Sequence, residues 1–559
     1  MRKILKVFLV TFLLSTGITS GQNLKGKKLA QNISAAIEKS YAACVRIWAF
    51  DTSANKQMSA PFSGVVVNKD GHILTAAHVV MPGATYQVTF PDGNQCIAIG
   101  LGKITKTQIV PDVGMMKIIS RGVWPFATMG YSGSLRINEP CISISYPESL
   151  YQSIPIVRFG YITSAKNEKG FIQSTCIMEP GDSGGPLFDY EGNVIGLHSA
   201  IEVSEKLNFD IPIDLYRIYW QALNIPRIYH SFPKSLALAI NDSSRDKIAV
   251  LDTNDIYGND FKKITAREQN TCLNIISDLN GRRQEALGTL INFGKKNKSL
   301  IISKSSIVGS DSIFLQTGDG LLNASVIARD ESNDLVLLRP ASNIKGGIPI
   351  SKLCADSSVT TTPGQFIASI LPHSKPVYSV IGTPLIKISK YYSAGSFGAS
   401  ILFKDAKVRI NTVQPGSPAD KQGMRTGDAI LSIDNKPIHN SPDFFVVLNQ
   451  YWPGDSIVIK LKRAGVVFDE SIVLRPIRFP VSEHPAEHFA GGSSKIRDGF
   501  NKVFSHDALL YPDKCGGPIF DDSGAFCGIN IARHSRASCL AMPTSVICQF
   551  LFDYIKTVK

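Results

Sequence analysis

Three segments of this chain recur in its second half, in the same order, and this duplication limits the fold more than any other feature. Ser63-Gly-Val-Val-Val followed by Ile73-Leu-Thr-Ala-Ala-His78-Val-Val resembles Gly288-Thr-Leu-Ile followed by Leu300-Ile-Ile-Ser-Lys-Ser-Ser306-Ile-Val. Asp112-Val-Gly-Met-Met-Lys resembles Asp334-Leu-Val-Leu-Leu-Arg, and Ser183-Gly-Gly-Pro-Leu-Phe-Asp resembles Cys515-Gly-Gly-Pro-Ile-Phe-Asp. Two copies of one domain are therefore expected. The spacing differs between them: 71 residues separate Asp112 from Ser183, but 181 separate Asp334 from Cys515. The second copy must hold an insertion long enough for a small domain of its own.

Each copy reads as β. Phe62–Asn68, Tyr86–Phe90, Ile142–Ser145 and Asn193–Ser199 are short runs rich in Val, Ile, Phe and Thr, punctuated by Gly, Pro, Asn and Asp. Many such runs predict barrels or sandwiches. Leu29–Val45 has helical spacing and is expected to precede the first strand. The expected fold class is mainly β, with two double-barrel domains and a small domain inserted in the second.

The chemistry-bearing residues sit at the ends of these runs. A serine hydroxyl attacks only if a base takes its proton, and that base must be held by a third group. His78, Asp112 and Ser183 supply the three roles in chain order. Glycines around Ser183 let the chain turn sharply and aim backbone N–H groups at a developing oxyanion. With Gly64 to His78, the Asp112 segment, Pro180-Gly-Asp-Ser183-Gly-Gly-Pro, Asn193-Val-Ile-Gly-Leu-His-Ser-Ala-Ile and Asn208-Phe-Asp-Ile-Pro-Ile-Asp, residues 30–223 resemble trypsin-fold serine endopeptidases of the HtrA/Deg type. The order His, Asp, Ser is that of the chymotrypsin fold. The resemblance implies that His78 is general base and then acid, that Asp112 orients it, and that Ser183 is the nucleophile. It implies an oxyanion hole from the N–H groups of Gly181 and Ser183, and places Ser199 along the substrate strand near Asp112. Ile177, six residues before Ser183, falls where this fold places the floor of the pocket for the residue before the scissile bond. An aliphatic floor disfavours Lys or Arg there, since a buried charge would go unpaired.

In the second copy, residues 271–394 and 477–559, Ser306 replaces the histidine and Cys515 the serine, while Asp334 persists. Without a matching base, and with Asp513 and Lys514 flanking Cys515, this copy reads as a degenerate, silent protease-like domain. Residues 224–270 read as a linker. The insertion, residues 395–476, resembles a PDZ domain of the HtrA type, with Phe397-Gly398-Ala399 as its carboxylate-binding loop and Gly427-Asp-Ala-Ile-Leu-Ser-Ile in its core. PDZ domains take C-terminal peptides as an added strand. HtrA proteins usually place such a domain after a single protease domain, so the nesting here is a departure from the pattern.

Met1 to about Gly21 reads as a secretory signal: Arg2, Lys3 and Lys6 followed by a mainly apolar run and small residues. Periplasmic or secreted placement is expected, and ten cysteines then permit disulfides, for which the four in the last 45 residues are candidates. The net charge of +13 is dispersed without basic runs or interleaved aromatics, which argues against nucleic acid as a partner. No pair of CxxC motifs and no HExxH occurs, so neither a metal nor another cofactor is expected. Partners are then protein or peptide substrates and C-terminal peptides at the inserted domain, with homo-oligomerisation left open. The leading reading is an exported serine endopeptidase acting on unfolded or exposed protein segments. The alternative is a chaperone-like or peptide-binding scaffold with silent protease folds.

Overall fold

The computed structural model describes residues 27–105, 112–234, 250–251, 268–293, 298–354, 361–477, 479 and 483–558. The expected signal segment, and most of the expected linker, lie outside these. The chain is mainly β, the class read from its sequence. In the first copy, six strands form a ring in the order Cys44–Asp51, Thr85–Thr89, Gln95–Ile104, Val113–Ile118, His72–Ala76 and Phe62–Val66, the last pairing back to the first. A second closed barrel follows, in which Ile172–Ser174, Asn208–Pro212, Val194–Ile201, Pro186–Asp189, Pro140–Ser145 and Ile156–Ser164 are neighbours in turn. The helix expected over Leu29–Val45 ends earlier. It spans Lys27–Ser40, and Cys44 and Val45 already belong to the first strand, both buried. β-Branched residues in a barrel wall outweigh a helical period that continues past the helix end.

The second copy repeats this topology. Its first ring joins Cys272–Leu279, Asp311–Thr317, Gly320–Asp330, Leu335–Pro340, Lys298–Lys304 and Arg282–Phe293. Its second sheet has the order Val377–Val380, Phe366–Ser369, Pro518–Asp521, Phe526–Arg533, Cys539–Pro543, Phe504–His506, and a bridge between Ile381 and His506 joins its outer strands. The insertion leaves between Val377–Val380 and Phe504–His506, the place where the first copy has only a short turn after Ile156–Ser164. It is a separate sheet, ordered Ala399–Lys404, Lys407–Val413, Ala429–Ile433, Ser456–Arg463, Val466–Val473, with its own core around Phe397, Val408, Phe444 and Ile459. Gly395–Ser396 pairs with Arg475–Pro476, so the module leaves and rejoins its host at one point. A disulfide joins Cys354 to Cys548, whereas Cys515, Cys527 and Cys539 are buried free thiols.

The two copies share one apolar core, which includes Ile33 and Ile37 of the first helix with Phe366 and Ala368 of the second copy. The strand Ile156–Ser164 is the seam. Val157 N donates to Gly382 O at 3.0 Å, and Phe159 N donates to Asp507 Oδ2 at 2.9 Å. Asp507 also accepts from Val380 N at 2.8 Å, so one half-buried carboxylate ties both copies together. Burial raises its pKa to about 6, and burial pushes the adjacent His506 down to about 3.

These two shifts oppose each other. Asp507 holds a proton in the folded state that the unfolded chain loses, so its contribution to stability falls as pH rises from about 4 to about 6. His506 stays neutral where the unfolded chain binds a proton, so its contribution falls as pH drops from about 6.5 towards 3. Asp507→Asn should leave only the second effect. Urea unfolding between pH 4 and 6 is expected to show stability rising more steeply with pH in the variant than in the parent, and equal slopes would refute the assignment.

Candidate active site

His78 lies in the short 3-10 turn Ala77–Val79 that ends the strand His72–Ala76. Asp112 immediately precedes the neighbouring strand Val113–Ile118, whose register Ala76↔Val113 sets the two side by side. Asp112 Oδ1 accepts from the His78 N–H at 2.8 Å, and Oδ2 lies 2.5 Å from Nδ1. The carboxylate is buried and the imidazole about half exposed. Ser199 Oγ donates to Asp112 Oδ2 at 2.9 Å. The other face of the ring meets the second barrel, where His78 Nε2 stands 3.0 Å from Ser183 Oγ. The structure thus brings His78, Asp112, Ser183 and Ser199 together from both barrels. In this arrangement a proton can pass from hydroxyl to imidazole while the carboxylate holds the ring.

Residues that the sequence reading passed over support this cluster. Lys103, on a strand of the first ring, donates to Ala77 O and to Val80 O at 3.2 and 2.7 Å, bracing the His78 turn. Tyr216 OH donates to Thr75 O at 2.6 Å. Behind Ser183, the buried His198 bridges Asp210 Oδ1 and Ser143 Oγ at 2.5 and 2.6 Å. Asp182 is held by the fully buried Arg158 through Nη1 at 2.9 Å and by Ser145 Oγ at 2.8 Å. A lone arginine in the otherwise apolar run Ile156-Val-Arg158-Phe was the one sequence signal for this pair.

The loop before Ser183 is set by its glycines. Gly181 has φ +95°, and a Cβ there would meet Glu148 N at 2.5 Å; Gly184 has φ +78°, with Thr75 Oγ1 at 2.0 Å. Pro180 O accepts from Glu148 N at 2.7 Å, which fixes that carbonyl, and Ser63 Oγ donates to Gly181 O at 2.8 Å. These elements border a cleft of about 570 Å³ that includes His78, Ser183, Met178, Pro180, Ala200 and Ile201. Ile177 is not among the residues that line it. It lines a separate cavity of about 190 Å³ with Phe159 and residues of the second copy, while its neighbour Met178 lines the cleft.

The equivalent place in the second copy is built differently. Asp334 accepts from Ser306 N at 2.6 Å, as Asp112 does from His78, but its other oxygen takes Ser306 Oγ at 2.9 Å and the buried ammonium of Lys304. Arg329 bonds Ser305 O and Val308 O, the carbonyls that match those braced by Lys103. Cys515 is buried with Ser494 Oγ at 3.9 Å, and desolvation pushes its pKa up to about 12. Asp513, where the first copy has Gly181, falls in a 3-10 turn and pairs with Lys514 at 2.7 Å. In the inserted module, Phe397 is a core side chain whose ring lies tilted against Phe444, Gly398 has φ +85° with its N–H donated to Ser396 Oγ at 3.1 Å, and Ala399 opens an outermost strand of the sheet. Among the described residues no cluster of potential metal ligands occurs.

The trypsin-like peptidase domain family matches residues 62–197, and the PDZ domain family matches residues 380–472. A DegP-like periplasmic serine endoprotease of Chlamydia trachomatis is 28% identical over 425 residues, 72% of this chain and 73% of that protein. Serine protease HTRA1 of Xenopus tropicalis is 31% identical over 169 residues, 28% of this chain and 35% of that one. This chain is a relative of the HtrA/Deg serine proteases. Against the first relatives it matches, the HtrA/Deg likeness spans a third to a half of their length.

Two outcomes follow from the geometry of this HtrA/Deg relative. Arg158→Met strands the buried Asp182 carboxylate, and should cost about 3–5 kcal/mol in urea unfolding; a loss below about 1 kcal/mol would show that the pair is not a keystone. Cys515, buried and with a raised pKa, should resist iodoacetamide at pH 8 until the protein is unfolded. Rapid alkylation of the native protein, mapped by mass spectrometry, would contradict that.

Proposed function

We propose that this chain is an exported serine endopeptidase that hydrolyses peptide bonds in unfolded or exposed protein segments. The observation that carries the reading is the single imidazole set between Asp112 and Ser183, at 2.5 and 3.0 Å. Ser183 Oγ attacks the scissile carbonyl as His78 Nε2 takes its proton, and the charged ring is stabilised by Asp112. The N–H groups of Gly181 and Ser183 receive the oxyanion; neither has an intramolecular acceptor among the described residues. An acyl-enzyme forms on Ser183, the protonated His78 gives its proton to the leaving amine, and water then completes hydrolysis.

Met178, Pro180, Ala200 and Ile201 give the cleft apolar lining, in keeping with a small or medium apolar residue before the scissile bond. The second copy is read as a pseudoprotease: Lys304 occupies the carboxylate that an imidazole would need, and the Cys515 thiol is sequestered. The PDZ module would hold a C-terminal peptide along Ala399–Lys404. Placement in the periplasm or outside the cell rests on the segment before residue 27 and on the names of relatives. No helix among the described residues is long and apolar enough to cross a membrane.

Purified protein should degrade unfolded casein, and Ser183→Ala should lower the rate by roughly 10⁴–10⁶-fold. A fluorophosphonate should label the parent at Ser183 alone. Equal casein loss with both proteins would instead favour a scaffold whose protease folds are silent.

A further inference from the structure

The stretch Ser199–Ile201 is a sheet edge with one side open. The strand Val194–Ile201 pairs with Asn208–Pro212 as far as Ile201↔Asn208, but its pairing with Pro186–Asp189 stops at Leu197. Beyond Leu197 the free side borders the cleft that holds His78 and Ser183. An edge of this kind recruits an extended peptide by backbone hydrogen bonds. On the reading above, the substrate residues before the scissile bond lie along it, and each further residue advances about 3.3 Å away from Ser183.

That path meets the second copy. Past Ile201 the chain continues through Glu202, Val203 and Ser204, and all three carbonyls are taken by one side chain. Arg536 Nη1 lies 2.6 Å from Glu202 O and 3.4 Å from Val203 O, and Nη2 lies 2.8 Å from Ser204 O. Arg536 is wholly buried, and its Nη1 also lies 3.4 Å from Pro485 O. Pro485 and the exposed His484 line the same cleft as His78 and Ser183, although they follow the PDZ module in sequence. The segment carrying Arg536 is anchored to the first copy at two further points. Arg533 Nη2 meets Glu205 Oε1 at 2.8 Å, and His534 Nε2 meets Ser149 O at 3.0 Å. A guanidinium shared among several carbonyls fixes their geometry more firmly than a single bond could.

We propose that His484 and Pro485, clamped by Arg536, form the end wall of the substrate cleft, so that the second copy sets how many residues a substrate lays along Ser199–Ile201 before the scissile bond. Having lost its own chemistry, the duplicated domain is a specificity element for the first. This rests on the endopeptidase reading for the direction of the peptide, and its test is independent of catalysis.

The test uses peptide binding in a Ser183→Ala background. The peptides carry about three to about eight residues before an apolar-Lys junction, a fluorescent label on that lysine, and an amidated C-terminus that the PDZ module cannot capture. Affinity by fluorescence anisotropy is expected to fall at least about tenfold (about 1.4 kcal/mol) once the segment exceeds about four residues. Adding His484→Gly with Pro485→Gly, which removes both wall side chains and keeps the Pro485 carbonyl that meets Arg536, should abolish that fall. Extensions placed after the junction should have no such effect in either protein. The same length dependence with and without the wall residues, no length dependence at all, or no binding to either protein would overturn the proposal. Casein cleavage by the Ser183 parent separately decides the endopeptidase reading.

Discussion

Everything at the first site turns on how the Asp112 carboxylate is satisfied. A buried carboxylate must be paired or hydrogen-bonded on both oxygens. Asp112 meets this with a backbone N–H, an imidazole and the Ser199 hydroxyl. Because the imidazole is one of the partners, its second nitrogen is left facing Ser183 across the barrel interface. Asp334 occupies the same place in the second copy and is equally satisfied, but by Lys304 and Ser306. Lysine and serine quench the carboxylate without offering a base to the residue opposite. One scaffold, solving the same desolvation problem twice, sets an imidazole against a hydroxyl in one copy and holds an ion pair in the other.

The second copy is nevertheless structurally continuous with the first. The seam strand Ile156–Ser164 presents Arg158 inward to Asp182, while its backbone bonds Gly382 and Asp507 of the other copy. The loop that shapes the Ser183 turn is therefore two contacts away from the duplicated domain. Elsewhere, Arg533, His534 and Arg536 bond Glu205, Ser149 and Glu202 of the first copy. Burying three arginines is costly, and the cost is offset here by carboxylates and clusters of carbonyls.

Much of this was legible beforehand. Two copies were visible because the motif glycines, the strand runs and the acidic position recur in order. The clustering of His78, Asp112 and Ser183 was visible because the chemistry expected of them demands particular side chains at strand ends. What sequence reasoning misplaced shares one cause. The helix at Leu29–Val45 was drawn too long because periodicity does not show where barrel pairing takes over. Counting back from Ser183 puts Ile177 at the cleft, whereas it lines a separate cavity against the second copy. Both depend on contacts between segments far apart in the chain.

Local residue chemistry thus determined the β character, the duplication, the absence of a histidine opposite Cys515 and the residues that gather at the first site, since glycine turns and nucleophile–base pairs need particular residue types. Tertiary structure alone decided that Lys304 quenches Asp334, that Arg158 holds Asp182, and that His484 and Pro485 line the cleft that holds His78. Those pairings join residues up to several hundred positions apart. Nothing in the local sequence encodes which buried charge will meet which partner; only the closing of the barrels and the docking of the copies brings them within bonding distance.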